Sequence, residues 1–128
     1  PGPTRPMMGD EARRLLEDAG VPVPRWKVVS VDGAGEAADR LGYPVVVKAV
    51  GLAHKTEANA VVLDLSDTGA VDEAARRIAG ASAAETVIVE HQVDDAVVEL
   101  LVSVRREDPV GWLLTVGAGG TLVEILED

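Results

Sequence analysis

Lys48 and the trio His54-Lys55-Thr56 are the residues whose types and spacing suit chemistry. Lys48 ends a continuous apolar run, Val45-Val46-Val47, that reads as a buried strand. A buried ammonium is costly unless it meets an anion. Either a phosphate meets Lys48, or it snorkels to water or pairs with a carboxylate of the chain. A few residues on, His54, Lys55 and Thr56 offer an imidazole, a cation and a hydroxyl in a polar loop after that strand. Such a loop can present backbone N–H groups to an anion. Imidazole can also accept a phosphoryl group, so His54 reads either as a nucleophile or as an ordinary surface histidine. The stretch holds no GxxxxGK[ST] pattern and is not a Walker loop.

Composition narrows the chemistry. The chain has 128 residues and a formal net charge of −10. That acidity argues against a nucleic-acid partner, which demands a basic face, but leaves room for a nucleotide held by a few local cations or a metal. There is no cysteine, which removes disulfides and thiolate chemistry, and only His54 and His91 supply imidazoles. Phe is absent, and the aromatics are Tyr43, Trp26 and Trp112, so the core must be aliphatic, built on valine and alanine. No apolar run approaches the roughly 20 residues of a membrane span, and the opening residues lack the regions of a signal peptide. The expectation is a soluble cytoplasmic protein with no membrane partner.

The elements that must position Lys48 read as follows. Residues 1–8 are proline-rich and irregular, a linker or an expression remnant. Asp10 can cap a helix through Ala19 with Ala12, Leu15, Leu16 and Ala19 on one face, and Gly20 as its stop. Trp26 to Val31 reads as a strand. Asp32 can cap a short helix carrying Ala37, Ala38 and Leu41, ended by Gly42. After the Lys48 strand, Asn59 to Leu65 is another strand. Asp67 or Thr68 caps a helix with Val71, Ala74, Ala75 and Ile78 inward, ended by Gly80, and Thr86 to Glu90 is a strand. Ala96 to Val104, Trp112 to Val116 and Thr121 to Leu126 read as strands, with turns at Glu107-Asp108-Pro109 and Gly117-Ala118-Gly119-Gly120. Glu11, Glu17, Asp18, Asp39, Asp72, Glu73, Arg76 and Arg77 read as solvated helix faces, and Gln92 as surface. The pattern is α/β or α+β. The expected division is an irregular 1–8, a subdomain over 9–93 and an incomplete second subdomain over 94–128. Stopping straight after a strand suggests a fragment of something longer.

Several stretches together resemble a known family. They are Asp10 to Leu16, Gly20-Val21-Pro22-Val23-Pro24, Gly42 to Lys48, His54-Lys55-Thr56-Glu57, Val87 to Val93, Glu99 to Val102, Asp108-Pro109 and Gly117 to Glu124, in that order. Their order and spacing resemble the ATP-grasp domain of NDP-forming acyl-CoA synthetases, the β-subunit-like part of ADP-forming acetate–CoA ligases. The resemblance implies an ATP-grasp fold, with an N-terminal subdomain and the start of a C-terminal one. It implies the interconversion of acyl-CoA, ADP and phosphate with carboxylate, CoA and ATP through a phosphohistidine, using ATP/ADP and Mg²⁺. It also implies a CoA-binding ligase domain or subunit as partner, and is compatible with an oligomer.

Carried over residue by residue, the resemblance implies a phosphate-binding Lys48 and a catalytic, phosphoryl-accepting His54 supported by Lys55 and Thr56. Glu90 to Val93, including His91, match the hinge that holds adenine. There Glu90 reads as a ladder-end residue whose backbone matters. Glu99 matches the acid after the hinge, and Arg105 or Arg106 a phosphate-facing arginine. Gly119 and Gly120 match a glycine-rich turn, and Glu124 a metal-binding acid. The chain differs from the family's pattern at Ala58-Asn59-Ala60, where two glycines are usual, and at His91, where an acid is expected. The stretch alone is expected to be inactive. The competing expectation is a non-catalytic ATP-grasp-like module, regulatory or structural, in a larger protein such as a lysine acetyltransferase.

Overall fold

The computed structural model describes residues 7, 9–50 and 60–119. The chain divides into two compact units, residues 1–93 and 94–128.

In the first unit the elements run α1 (Gly9–Asp18), β1 (Trp26–Ser30), a 3₁₀ turn (Val31–Gly33), α2 (Ala34–Leu41), β2 (Val45–Ala49), β3 (Val61–Leu65), α3 (Thr68–Ser82) and β4 (Thr86–His91). The four strands form one sheet in the order β1-β4-β2-β3, with every pair antiparallel. The two central strands carry the valine runs, as burial on both faces requires.

Helices α2 and α3 cover one face. Ala34, Ala37, Ala38 and Leu41 from α2, and Val71, Ala74, Ala75 and Ile78 from α3, pack on Val45, Val47, Ala49, Val87 and Val89. These helical residues recur at i, i+3, i+4 and i+7, the spacing of a single helix face. Without phenylalanine the core is close-packed from small side chains, and the helices must approach tightly. Gly35 marks that approach: a Cβ there would stand 2.5 Å from Thr68 Cγ2 and 2.7 Å from Asp72 Oδ1.

The caps differ in part from the sequence expectation. Asp67 caps α3 as expected, accepting a hydrogen bond from the Ala70 N–H at 2.9 Å. Asp32 does not cap α2. It sits in the 3₁₀ turn, and the start of α2 is capped from another helix, by Asp72 Oδ1 accepting from the Gly35 N–H at 3.0 Å. Helix α3 runs through Gly80 to Ser82 and stops at Ala83 in the left-handed region, with φ 51°. Glycine inside a helix costs only about 1 kcal/mol, less than the inward face of α3 returns. Helix α1 closes as expected at Gly20, with φ +76°. There the Gly20 N–H bonds Glu17 O and the Val21 N–H bonds Leu16 O, both at 2.9 Å.

Three of the residues read as solvated helix faces also make hydrogen bonds, Glu17 and Asp39 while remaining exposed. Asp72 caps α2, Glu17 accepts from Trp26 Nε1 at 2.9 Å, and Asp39 accepts from both Tyr43 and Thr68, at 2.6 and 2.9 Å. The last arrangement ties α2 to the start of α3. The hydroxyls of Tyr43 and then Thr68 hold the Asp39 carboxyl below the usual carboxylate range. Loss of solvent, then Asp39, raises the Tyr43 phenol.

The second unit is a hairpin of β5 (Leu100–Glu107) and β6 (Gly111–Ala118). Its register puts Leu100, Val102, Val104, Leu114 and Val116 on one face, and Leu101, Ser103, Arg105, Leu113 and Thr115 on the other. Gly117 belongs to this ladder, opposite Leu101, and not to a turn. The expected strand over 121–126 lies outside the described residues.

Candidate functional site

Strand alternation turns Val46 and Lys48 of β2, Ile88 and Glu90 of β4, and Trp26 and Val28 of β1 toward the sheet face away from α2 and α3. On that face three ionic side chains meet. Lys48 Nζ donates to Glu90 Oε1 at 3.0 Å. The other carboxylate oxygen, Oε2, accepts from Arg13 Nε at 2.9 Å and from Arg13 Nη2. Glu90 is the one buried charged residue among those described, 8% exposed. The three side chains keep 18%, 11% and 21% of their surface for Arg13, Glu90 and Lys48.

Arg13 is held by further contacts besides Glu90. Its Nη1 donates to Gly9 O at 3.1 Å, and its guanidinium lies 5.7 Å from the Trp26 ring centre. Arg14 lies over the same ring at 6.0 Å. Helix α1 buries no residue, and Leu15 and Leu16, which share one face of its pattern, are 57% and 43% exposed. The polar contacts of α1 to the sheet run from Arg13 to Glu90 and from Arg14 and Glu17 to Trp26.

The charge count defines the chemistry. Among the described residues two cations share one carboxylate, leaving one positive charge in a half-buried setting. Such a cluster attracts an anion, and a lysine on a rigid central strand is a fixed point charge for it. Beside the cluster opens a cleft of about 330 Å³, lined by Gly9, Ala12, Arg13, Leu16, Val23, Pro24 and Glu90. Its walls are apolar, and Arg13 and Glu90 supply its charge.

The end of β4 is held firmly. The His91 N–H bonds Arg25 O at 2.8 Å and the Gln92 N–H bonds Pro44 O at 2.9 Å. Gln92, read as surface, clamps an irregularity in β3. Its Oε1 accepts from the Asp64 N–H at 2.8 Å and its Nε2 donates to Asp64 Oδ1 at 2.6 Å. Asp64 has φ 58°, a conformation Asp tolerates better than most residues.

The structure thus unites Lys48 with Glu90, through the Glu90 side chain and not only its backbone. It adds Arg13, which sequence reasoning missed. The signal available was a cation beside the apolar positions of α1, next in sequence to Ala12. His91 follows Val87 and Val89 in the strand alternation, on the opposite face from Lys48. Val93 is exposed at the end of the first unit.

In the second unit the Glu99 carbonyl accepts from the Gly119 N–H at 2.9 Å. Gly119 lies so close to the Glu99 and Leu100 backbone that an added Cβ would meet it at 3.3 Å. Arg105 Nε pairs with Glu107 at 2.9 Å, and Arg106 stands opposite Trp112. His54, Lys55, Thr56, Gly120 and Glu124 lie outside the described residues. Among the described residues no three His, Asp or Glu side chains converge as a metal site, and no helix is long and apolar enough to cross a membrane.

An antiparallel sheet layered by helices on one face, with a half-buried lysine on the other, defines a class. Residues 4–128 match the ATP-grasp domain model, and the chain belongs to that family. It is 30% identical, over 97% of its length, to the β subunit of acetate–CoA ligase (ADP-forming) I of Pyrococcus furiosus, of which it covers 57%. It is 29% identical, over 95% of its length, to acetate–CoA ligase (ADP-forming) II of Archaeoglobus fulgidus, of which it covers 18%. Among solved structures it resembles the dinucleotide forming acetyl-coenzyme A synthetase 1 of Ca. Korarchaeum cryptofilum, in complex with coenzyme A, Ca-AMPCP and HgCl+. That match has a TM-score of 0.84 and 26% identity, and covers 95% of this chain and 57% of that one. The chain therefore spans little more than half of the β subunit and of the solved chain, and under a fifth of the longer relative.

Proposed function

We propose that this chain is the ATP-binding part of an NDP-forming acyl-CoA synthetase, which interconverts acyl-CoA, ADP and phosphate with carboxylate, CoA and ATP. One observation carries the reading. In a chain of the ATP-grasp family, Lys48 stands on a central strand in a cluster of two cations and one buried carboxylate. The excess positive charge suits a nucleotide phosphate, and phosphoryl transfer needs charge neutralisation and positioning above all.

Lys48 binds phosphate in this reading. His54 takes the phosphoryl group, and Lys55 and Thr56 steady it. Glu90 to Val93, with His91, hold the adenosine end. Glu99, Arg105 or Arg106, Gly119 and Gly120 are assigned to phosphate binding, and Glu124 to Mg²⁺. A bound Mg²⁺ would neutralise phosphate charge, and Glu124 would be a carboxylate able to hold it. The partner is a CoA-binding domain or subunit, fused or separate.

One observation favours the non-catalytic alternative: Ala58-Asn59-Ala60 stands where the family's pattern has glycines, and Ala60 is packed into the core. Labelling separates the two. The gene product carrying this chain, incubated with Mg·ATP labelled on the γ-phosphate, gains acid-labile phosphate that His54→Ala abolishes. Label that persists in His54→Ala excludes His54 as the acceptor. Absence of label in the wild type together with retained ATP binding supports the non-catalytic module.

A further inference from the structure

We infer that Arg13 is a positioning residue: by holding one oxygen of Glu90 it leaves the other to Lys48 and sets where the Lys48 ammonium presents its charge. Glu90 has two carboxylate oxygens, and the two cations divide them, Oε2 to Arg13 and Oε1 to Lys48. With Arg13 removed, both oxygens are open to Lys48. The pair closes on itself as a neutral unit, and the excess positive charge is gone.

Arg13 is built for this task. Its guanidinium is locked by Gly9 O and the Trp26 ring, so it offers Glu90 a fixed fork. A helix placed for burial alone would bury an apolar stripe. Helix α1 buries none, and its link to the sheet runs through Arg13, Arg14 and Glu17. Arg13 is thereby wired to the strand lysine through Glu90, which lies 77 positions further along the chain. Only the affinity arm of the test below rests on the nucleotide reading of Lys48.

The test uses the gene product carrying this chain. Lys27, Lys48 and Lys55 are the chain's lysines, so selective ¹³C labelling at lysine Cε gives few signals here. Arg13→Gln is expected to move the Lys48 Cε cross-peak without ligand, to leave Lys27 unmoved, and to raise the Mg·ATP Kd about five- to tenfold, the order expected for removing one nearby charge. Arg13→Lys restores the charge without the fork and brings both readouts part-way back. In a Lys48→Met background, Arg13→Gln changes Kd less than about twofold, because Arg13 acts through Lys48.

An unmoved Lys48 cross-peak in Arg13→Gln overturns the inference, as does an equal loss of affinity in the Lys48→Met background. Should Arg13→Gln fail to fold, Arg13→Lys decides: an unmoved Lys48 cross-peak there overturns it. If the cross-peak responds as described and no form binds Mg·ATP, the positioning stands and the nucleotide reading falls.

Discussion

Replacing Glu90 with glutamine should cost far more stability than removing either cation it serves. In the wild type one carboxylate answers three donors: Arg13 Nε, Arg13 Nη2 and Lys48 Nζ. Glutamine keeps the shape, but only its one amide oxygen accepts, and its NH2 group must face a cationic donor, so at least one of the bonds is lost at about 1–3 kcal/mol. It also leaves two cations facing one another. Breaking a buried pair costs about 3–5 kcal/mol. Arg13 and Lys48 keep 18% and 21% side-chain exposure, so water offsets part of that. The expected loss for Glu90→Gln is about 3 kcal/mol.

Lys48→Met instead leaves the Arg13–Glu90 pair intact and electrically balanced, and should cost about 1 kcal/mol or less. Urea unfolding at neutral pH, followed by far-UV circular dichroism, reads the difference. With an m value of about 2 kcal/mol per molar, Glu90→Gln lowers the midpoint by roughly 1.5 M and Lys48→Met by about 0.5 M or less. Equal losses would refute the charge count, because they would mean the cluster is a simple ladder of contacts and not two cations sharing one anion.

Two further outcomes follow from the helical layer. Gly35→Ala pushes a Cβ against Thr68 Cγ2 and against the Asp72 oxygen that caps α2. It should destabilise by about 2–3 kcal/mol, combining overpacking with a weakened cap, and an unchanged urea midpoint would sink that account. Asp39 gives a pH signature. Its carboxyl is held below the usual range, so its bonds to Tyr43 and Thr68 stabilise the fold above that range, and the benefit is lost as pH falls through the lowered folded value. The midpoint gap between wild type and Asp39→Asn should therefore be widest near neutrality and close below about pH 4. A gap independent of pH would show that Asp39 acts through shape and not charge.

What was legible in the sequence is mostly local. Asp67 three residues before Ala70, with Val71, Ala74, Ala75 and Ile78 following at helical spacing, contains the whole start of α3. Gly20 and Gly42 both take positive φ where the helical patterns stop. The run Val45 to Val47 reads as a strand because β-branched residues suit few other places. What was hidden depends on residues far apart. Asp72 caps Gly35 from another helix, so no local pattern at Asp32 could reveal that α2 is capped from elsewhere. The strand order β1-β4-β2-β3 is settled by packing, not by any strand's own composition.

The site follows the same division. Lys48 declared itself by interrupting an apolar run. Its carboxylate partner was one of the alternatives that run allows, and Glu90 proved to be it. Arg13 did not declare itself, because an arginine on an amphipathic helix is ordinary until a buried carboxylate lies opposite. Gly117 looked like part of a turn because glycines cluster there, yet it pairs with Leu101 in the β5–β6 ladder.

The most direct test of the nucleotide reading is a calorimetric titration of Mg·ATP into the gene product carrying this chain, with wild type and Lys48→Ala side by side. A phosphate-binding Lys48 predicts saturable binding to the wild type and at least about a tenfold weaker Kd for Lys48→Ala, the order of one lost charge contact with phosphate, with the circular dichroism spectrum unchanged. Equal affinity for the two proteins, with Lys48→Ala fully folded, would contradict it.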